Sequence, residues 1–288
     1  MRNVSVLSFF IYLLSLLPFW VLYVLSDLGY VVLYHIIGYR KAVVFNNLKN
    51  AFPEKSEEER RQIARKFYRF LPDLLVEAVK MRSISANDVN KRILMYQTEE
   101  LERHFRSGKG IIAVTAHYGN WELGIHRISL FTEHPALIIY KPLHNKAFDA
   151  VYNGIRSRFG AIMVPMKLTL RKIIKYRHQP HISVFVADQT PGRSDSHYSI
   201  NFLNQKTPVY TGVEKIARAT GFPVVFCHID RIKRGHYCCT FTTLVEEPAT
   251  IREHGITDIH NKFTEDIIRR KPELWLWSHR RWKRKATS

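Results

Sequence analysis

Ile111-Ile-Ala-Val-Thr-Ala116 runs directly into His117-Tyr-Gly-Asn-Trp-Glu122, and this stretch decides how the rest of the chain is read. The apolar run is of strand length and does not alternate with polar residues, as a strand covered on both faces requires. Similar runs recur at 136–140, 161–164, 182–187 and 223–229, with helix-like stretches near 121–130, 146–158, 168–176 and 213–220 between them. This alternation predicts an α/β fold with a largely parallel central sheet flanked by helices. Residues 237–245 read as a further strand, a hairpin with 223–232 across Lys233-Arg-Gly235, and 257–270 as a last amphipathic helix. Ser56-Glu-Glu-Glu59 is a capping box ahead of Ile63, Phe67, Phe70 and Leu74, which marks an amphipathic helix bent or ended near Pro72.

In such sheets ligands gather at the carboxyl ends of the strands, where His117 stands. On one regular helix His117 and Glu122 would point about 140° apart. They converge only if His117 lies in the turn and Glu122 in the first helical turn, a bend that Gly119 permits. A carboxylate beside an imidazole orients it and stabilises imidazolium, as a general base acting on an alcohol requires. The sequence holds no H-E-x-x-H, G-x-S-x-G, G-x-x-x-x-G-K or G-x-G-x-x-G motif, and a metal at His117 and Glu122 lacks a third ligand. No metal or cofactor is therefore expected. The cysteines, Cys227, Cys238 and Cys239, are spaced neither as a disulfide framework nor as a zinc pair, and they read as small core residues of a cytosol-facing protein.

The amino terminus points to a membrane. From Val4 to Leu25 no residue is charged, about the length of one spanning helix, and a second apolar stretch, 28–37, follows a break at Ser26, Asp27 and Gly29. Trp20, Tyr23, Tyr30 and Tyr34 suit interfacial anchoring. Arg2 precedes the segment while Arg40, Lys41 and Lys49 follow it, which places the carboxyl side in the cytoplasm. The chain carries 44 Lys+Arg against 25 Asp+Glu, a formal charge of +19 that calls for an anionic partner. Nucleic acid is an awkward choice, because no recognisable nucleic-acid-binding signature accompanies the charge.

His117-Tyr-Gly-Asn-Trp-Glu122 resembles the H-x4-D/E signature of the lysophospholipid/glycerolipid acyltransferase superfamily, in the form of the bacterial lipid A biosynthesis (lauroyl/myristoyl-type) acyltransferases. Supporting blocks stand in that family's order: Lys141-Pro-Leu-His-Asn145 running on to Arg156-Ser-Arg-Phe-Gly160, Asp188-Gln189, Thr220-Gly-Phe-Pro223, and Leu274-Trp-Leu-Trp277 leading into His279-Arg-Arg-Trp-Lys283. The resemblance covers nearly the whole chain. With no internal repeat, low-complexity tract or obvious interdomain linker, the economical division is a membrane anchor, 1–40, and an acyltransferase domain, 41–288.

The resemblance implies transfer of a fatty acyl chain from acyl carrier protein or acyl-CoA to a hydroxyl of a phosphorylated lipid A precursor, at the cytoplasmic face of the bacterial inner membrane. His117 would be the base and Glu122 the group that orients it, without an acyl-enzyme. Arg158, more than Arg156, is expected to hold a phosphate or carboxylate of the acceptor. Arg280 and Arg281, set between Trp277 and Trp282, are expected to meet anionic headgroups at the membrane interface. Asp188 and Gln189 either serve the site or cap a turn. Asn120 is a substrate-side candidate that more simply shapes the turn, and His126 reads as a surface residue. The rivals are an acyltransferase acting on a lysophospholipid, an ornithine lipid or a glycosylated phosphoinositide, and an inactive membrane scaffold.

Overall fold

The all-apolar run at 111–116 becomes a central strand. The computed structural model describes residues 2–192 and 198–283. Its strands are β1 (Ile93–Tyr96), β2 (Ile111–Thr115), β3 (Ala136–Tyr140), β4 (Ile162–Pro165), β5 (Ile182–Val186), β6 (Ser199–Phe202), β7 (Gln205–Pro208), β8 (Val224–Lys233) and β9 (His236–Val245). Apart from the β6–β7 hairpin they form one sheet in the order β1-β9-β8-β2-β5-β3-β4. From β8 to β4 neighbours are parallel. β9 turns back antiparallel to β8 as the expected hairpin, and β1 lies parallel to β9. Every residue of β2 is buried, with Ile111 to Val114 at 0% exposure. Each such large aliphatic side chain contributes about 1.5–3 kcal/mol by leaving water.

The helices are α1 (Arg2–Leu16), α2 (Phe19–Tyr30), α3 (Lys41–Ala51), α4 (Glu57–Lys80), α5 (Ala86–Arg92), α6 (Glu99–Arg106), α7 (Trp121–Phe131), α8 (Lys146–Arg156), α9 (Thr169–Tyr176), α10 (Gly212–Thr220) and α11 (Gly255–Arg270). The capping box at Ser56 and Glu59 forms in both directions and starts α4. Pro72 lies inside that helix and does not end it. It sits where α2 crosses, so close that a Cβ on Gly29 would lie 3.3 Å from its ring.

The apolar amino terminus is built differently from the expectation. No single helix spans 4–25: α1 ends at Leu16, and Pro18, in an extended conformation at φ −64°, restarts the chain as α2. α2 continues through a π-helical turn, Val31–Ile36. The stretch Phe19–Ile36 is long and apolar enough to cross a membrane. Ser26, Asp27 and Gly29, read as a break, lie inside this helix because each has a partner on the body. Ser26 Oγ donates to Asp73 (2.6 Å), Arg234 holds Asp27 (2.7 Å) and Gly29 packs on Pro72. Tyr23 is likewise committed, donating to Glu77 (2.9 Å), whereas Trp20 stands 71% exposed.

Candidate active site

Adjacent parallel strands deliver two side chains to one point. β2 and β5 pair in register up to Thr115 opposite Val186, and the Ala187 N–H extends the ladder to the Thr115 carbonyl. Two residues past that last pair stand His117 and Asp188. The His117 backbone N–H donates to Asp188 Oδ2 (3.0 Å), and its ring Nδ1 lies 2.6 Å from Oδ1. Trp275 adds its indole N–H to Oδ2 at 2.7 Å. Burial alone would raise the Asp188 pKa, but the His117 charge and the hydrogen bonds from His117 and Trp275 prevail and hold it at about 2. An ionised Asp188 favours Nδ1 as the donor, which leaves Nε2 on the other side of the ring. The Gln189 amide lies 3.0 Å from that Nε2.

The turn itself requires glycine. Gly119 has φ +59°, and a Cβ there would lie 2.0 Å from the Ile229 carbonyl oxygen. The carboxyl-terminal segment straps the turn from its other side, with Gly119 N–H donating to Leu274 O (3.1 Å) and Leu276 N–H to His117 O (3.1 Å). Asn120 caps α7, accepting from Leu123 N–H (2.8 Å), and its amide donates to Glu77 (2.5 Å). It shapes the turn, as its simpler reading held. Glu77 is 2% exposed and accepts from Tyr237 and Tyr23 as well. Burial raises its pKa against the pull of those donors.

Several expectations about individual residues are corrected. No hydrogen bond joins Glu122 to His117 among the described residues. Glu122 is 7% exposed and lies in a two-point ion pair with Arg156, Nε to Oε2 at 2.8 Å and Nη2 to Oε1 at 2.5 Å, with the Trp121 indole on Oε1. Burial would raise the Glu122 pKa, but Arg156 lowers it below its ordinary value. Asp188, and not Glu122, therefore holds the imidazole. Arg156 is no solvated helix-end cation, because its guanidinium is held by Glu122 and stacked over Tyr152.

Arg158 is engaged through one nitrogen by the protein's own backbone. Its Nη1 donates to the carbonyls of Met81 (2.5 Å) and Ile84 (3.2 Å) just past the end of α4. Arg281 is 1% exposed instead of facing headgroups, and its Nε and Nη1 meet no acceptor among the described residues. Burial lowers its pKa to about 10 although Asp188 pulls the other way. Arg280 is exposed. Trp277 is fully buried, and Trp282 donates to Thr207 (2.7 Å), so neither indole is a free membrane anchor. His126 is buried, not superficial, with Nε2 2.8 Å from the Ile155 carbonyl.

Sequence reasoning missed Trp275 and Glu77. Trp275 carried a signal, since it stands two residues from Trp277 in a block otherwise read only for resemblance. Glu77 carried none, because a lone Glu on an amphipathic helix reads as solvated.

The model of the bacterial lipid A biosynthesis acyltransferases matches residues 3–284. The chain belongs to this family and is an acyltransferase. It is 26% identical over 246 residues to the lipid A biosynthesis palmitoleoyltransferase of Escherichia coli (strain K12), covering 85% of this chain and 79% of that protein. It is 24% identical to the lipid A biosynthesis lauroyltransferase of the same organism, over 94% and 92% of the two chains. A lipid A biosynthesis acyltransferase of Haemophilus influenzae is 22% identical over 75% of this chain and 68% of its own.

In this acyltransferase the Glu122–Arg156 pair makes a prediction of its own. Glu122→Ala leaves a buried guanidinium without its counter-charge and should destabilise the fold by about 3–5 kcal/mol. Glu122→Leu combined with Arg156→Met should recover most of that loss, because a well-packed apolar pair costs no desolvation. Urea unfolding of the two variants in detergent, compared with the parent, measures both effects.

Proposed function

We propose that the chain transfers a fatty acyl group from a thioester carrier, acyl carrier protein or acyl-CoA, to a hydroxyl of a phosphorylated lipid A precursor. The observation that carries the chemistry is the His117–Asp188 pair at the carboxyl edge of β2 and β5. The acceptor hydroxyl displaces the Gln189 amide and gives its proton to His117 Nε2. The alkoxide attacks the thioester carbonyl, the C–S bond breaks, and the departing thiolate takes the proton back from the imidazolium. Asp188 holds the ring and balances its transient charge. Glu122 acts at one remove, by fixing Arg156, Trp121 and the start of α7. No acyl-enzyme forms, and Cys227 and Cys239 remain free core residues of the hairpin.

The stretch Phe19–Ile36 supports a single-pass anchor within residues 1–40, with residues 41–288 on the cytoplasmic side of the bacterial inner membrane. The test is mass spectrometry of membrane lipids from cells with and without the chain. An added acyl group on lipid A is expected. Unchanged lipid A with an acylated lysophospholipid, ornithine lipid or glycosylated phosphoinositide would move the acceptor elsewhere.

A further inference from the structure

The sheet gathers more than the site at its carboxyl edge. β8, β2, β5, β3 and β4 run parallel, so the segments that follow them emerge on one side. His117 follows β2 and Asp188 follows β5. The turn after β8 carries Arg234, which ties Asp27 of the apolar helix α2 to this same edge. Beyond the site, in the order β5-β3-β4, come the segments after β3 and β4. Among the large apolar side chains they expose are five near the strand ends: Leu143 (43%), Phe148 (39%), Met166 (38%), Leu168 (49%) and Leu170 (45%).

The inner side of α9 is satisfied, with Thr169 and Ile173 buried, so its outward apolar residues are not part of the core. Lys141, Lys146, Lys167 and Arg171 are exposed among them, and none forms an ion pair among the described residues. Large apolar side chains interleaved with unpaired cations are the composition of a surface lying in a lipid interface.

We propose that this rim, after β3 and β4, rests in an anionic bilayer surface and, with α2 on the far side of the site, brackets the His117–Asp188 edge against the membrane. The inference rests on the membrane reading of α2 given above. The bilayer is favoured over an acidic carrier protein because the same edge already presents the apolar helix. Cations meet the headgroups, the five apolar side chains enter the acyl boundary, and an embedded acceptor reaches Nε2 without leaving the lipid.

The full chain, reconstituted into phosphatidylcholine vesicles with and without phosphatidylglycerol, provides the test. An environment-sensitive fluorophore is placed on Leu168→Cys, with Leu28→Cys on α2 and Lys109→Cys on the opposite edge before β2 as references. Background labelling is measured on the parent. Spin-labelled lipid should quench the Leu168 and Leu28 probes several-fold more than the Lys109 probe, and phosphatidylglycerol should strengthen the quenching at Leu168. Quenching at Leu28 with none at Leu168 overturns the rim and leaves the anchor intact. Quenching at neither overturns both. A shift of the Leu168 probe when acyl carrier protein is added to detergent-solubilised enzyme, with no response to lipid, makes the rim a protein-docking face and also overturns the proposal. Leu168→Glu with Leu170→Glu should raise the KM for bilayer-embedded acceptor about tenfold with kcat near the parent value. An unchanged KM contradicts the proposal.

Discussion

His117→Ala should slow acyl transfer by about 10²- to 10⁴-fold, the contribution of a positioned general base. The loss should fall on kcat, because the imidazole acts on the proton in flight and contributes little to holding either substrate. The His117 side chain is 18% exposed, and the turn is held by Gly119, Asn120 and the 274–276 strap, so the variant should fold as the parent does. Cys227→Ala and Cys239→Ala provide the contrast. Direct transfer from thioester to alcohol makes both nearly as active as the parent, whereas an acyl-cysteine route would make at least one of them inactive. Steady-state rates of the purified, detergent-solubilised variants distinguish the two.

Asp188→Asn should be nearly as damaging. The parent carboxylate accepts from the imidazole, from the His117 backbone N–H and from the Trp275 indole, using both oxygens. An amide retains one oxygen and turns an N–H₂ toward one of those donors, so either the ring or the backbone loses its partner. The imidazolium formed during proton transfer also loses its counter-charge. A fall of about 10²- to 10⁴-fold in kcat is expected. The pH dependence of stability has a fixed sign. A carboxyl held at about 2 contributes stability that is fully present above its ordinary pKa of 3.8 and is lost as pH falls through 2. The stability gap between Asp188→Asn and the parent should therefore narrow as pH falls from about 4 toward 2. A gap that stayed unchanged over that acid range would contradict an ionised Asp188 in the resting enzyme.

The sheet was legible because strands buried on both faces have little choice but continuous Val, Ile and Ala, and β2, β3, β5 and β8 each carry such a run. The edge strand β1 and the β6–β7 hairpin escaped notice, since segments of only four residues are too short to show a distinctive period. Pro18 was visible at the amino terminus, but α2 continues through Ser26 and Asp27 only because α4 and the β8–β9 turn supply partners that a hydropathy reading cannot see.

The site was half legible. His117 announced itself through the turn that follows a buried strand, and Glu122 seemed to be its partner because it is near in sequence. Strand order decides otherwise. Asp188 lies 71 residues away, yet β5 is the hydrogen-bonded neighbour of β2, and their register sets the two side chains together. Nothing in a single sequence reports that adjacency. Arg281 shows the same limit in reverse, since within a basic tail it is indistinguishable from Arg280 until packing buries one and exposes the other.

A double-mutant cycle on kcat, built from His117→Ala, Asp188→Asn and the double variant, with a parallel cycle for His117→Ala and Glu122→Gln, tests the pairing most directly. If Asp188 acts through the imidazole, its substitution should cost little once His117 is gone, giving a coupling of at least about 2 kcal/mol. Glu122→Gln should couple to His117→Ala by less. Additive losses for His117 and Asp188, with strong coupling between His117 and Glu122, would contradict the assignment of Asp188 as the partner of the base.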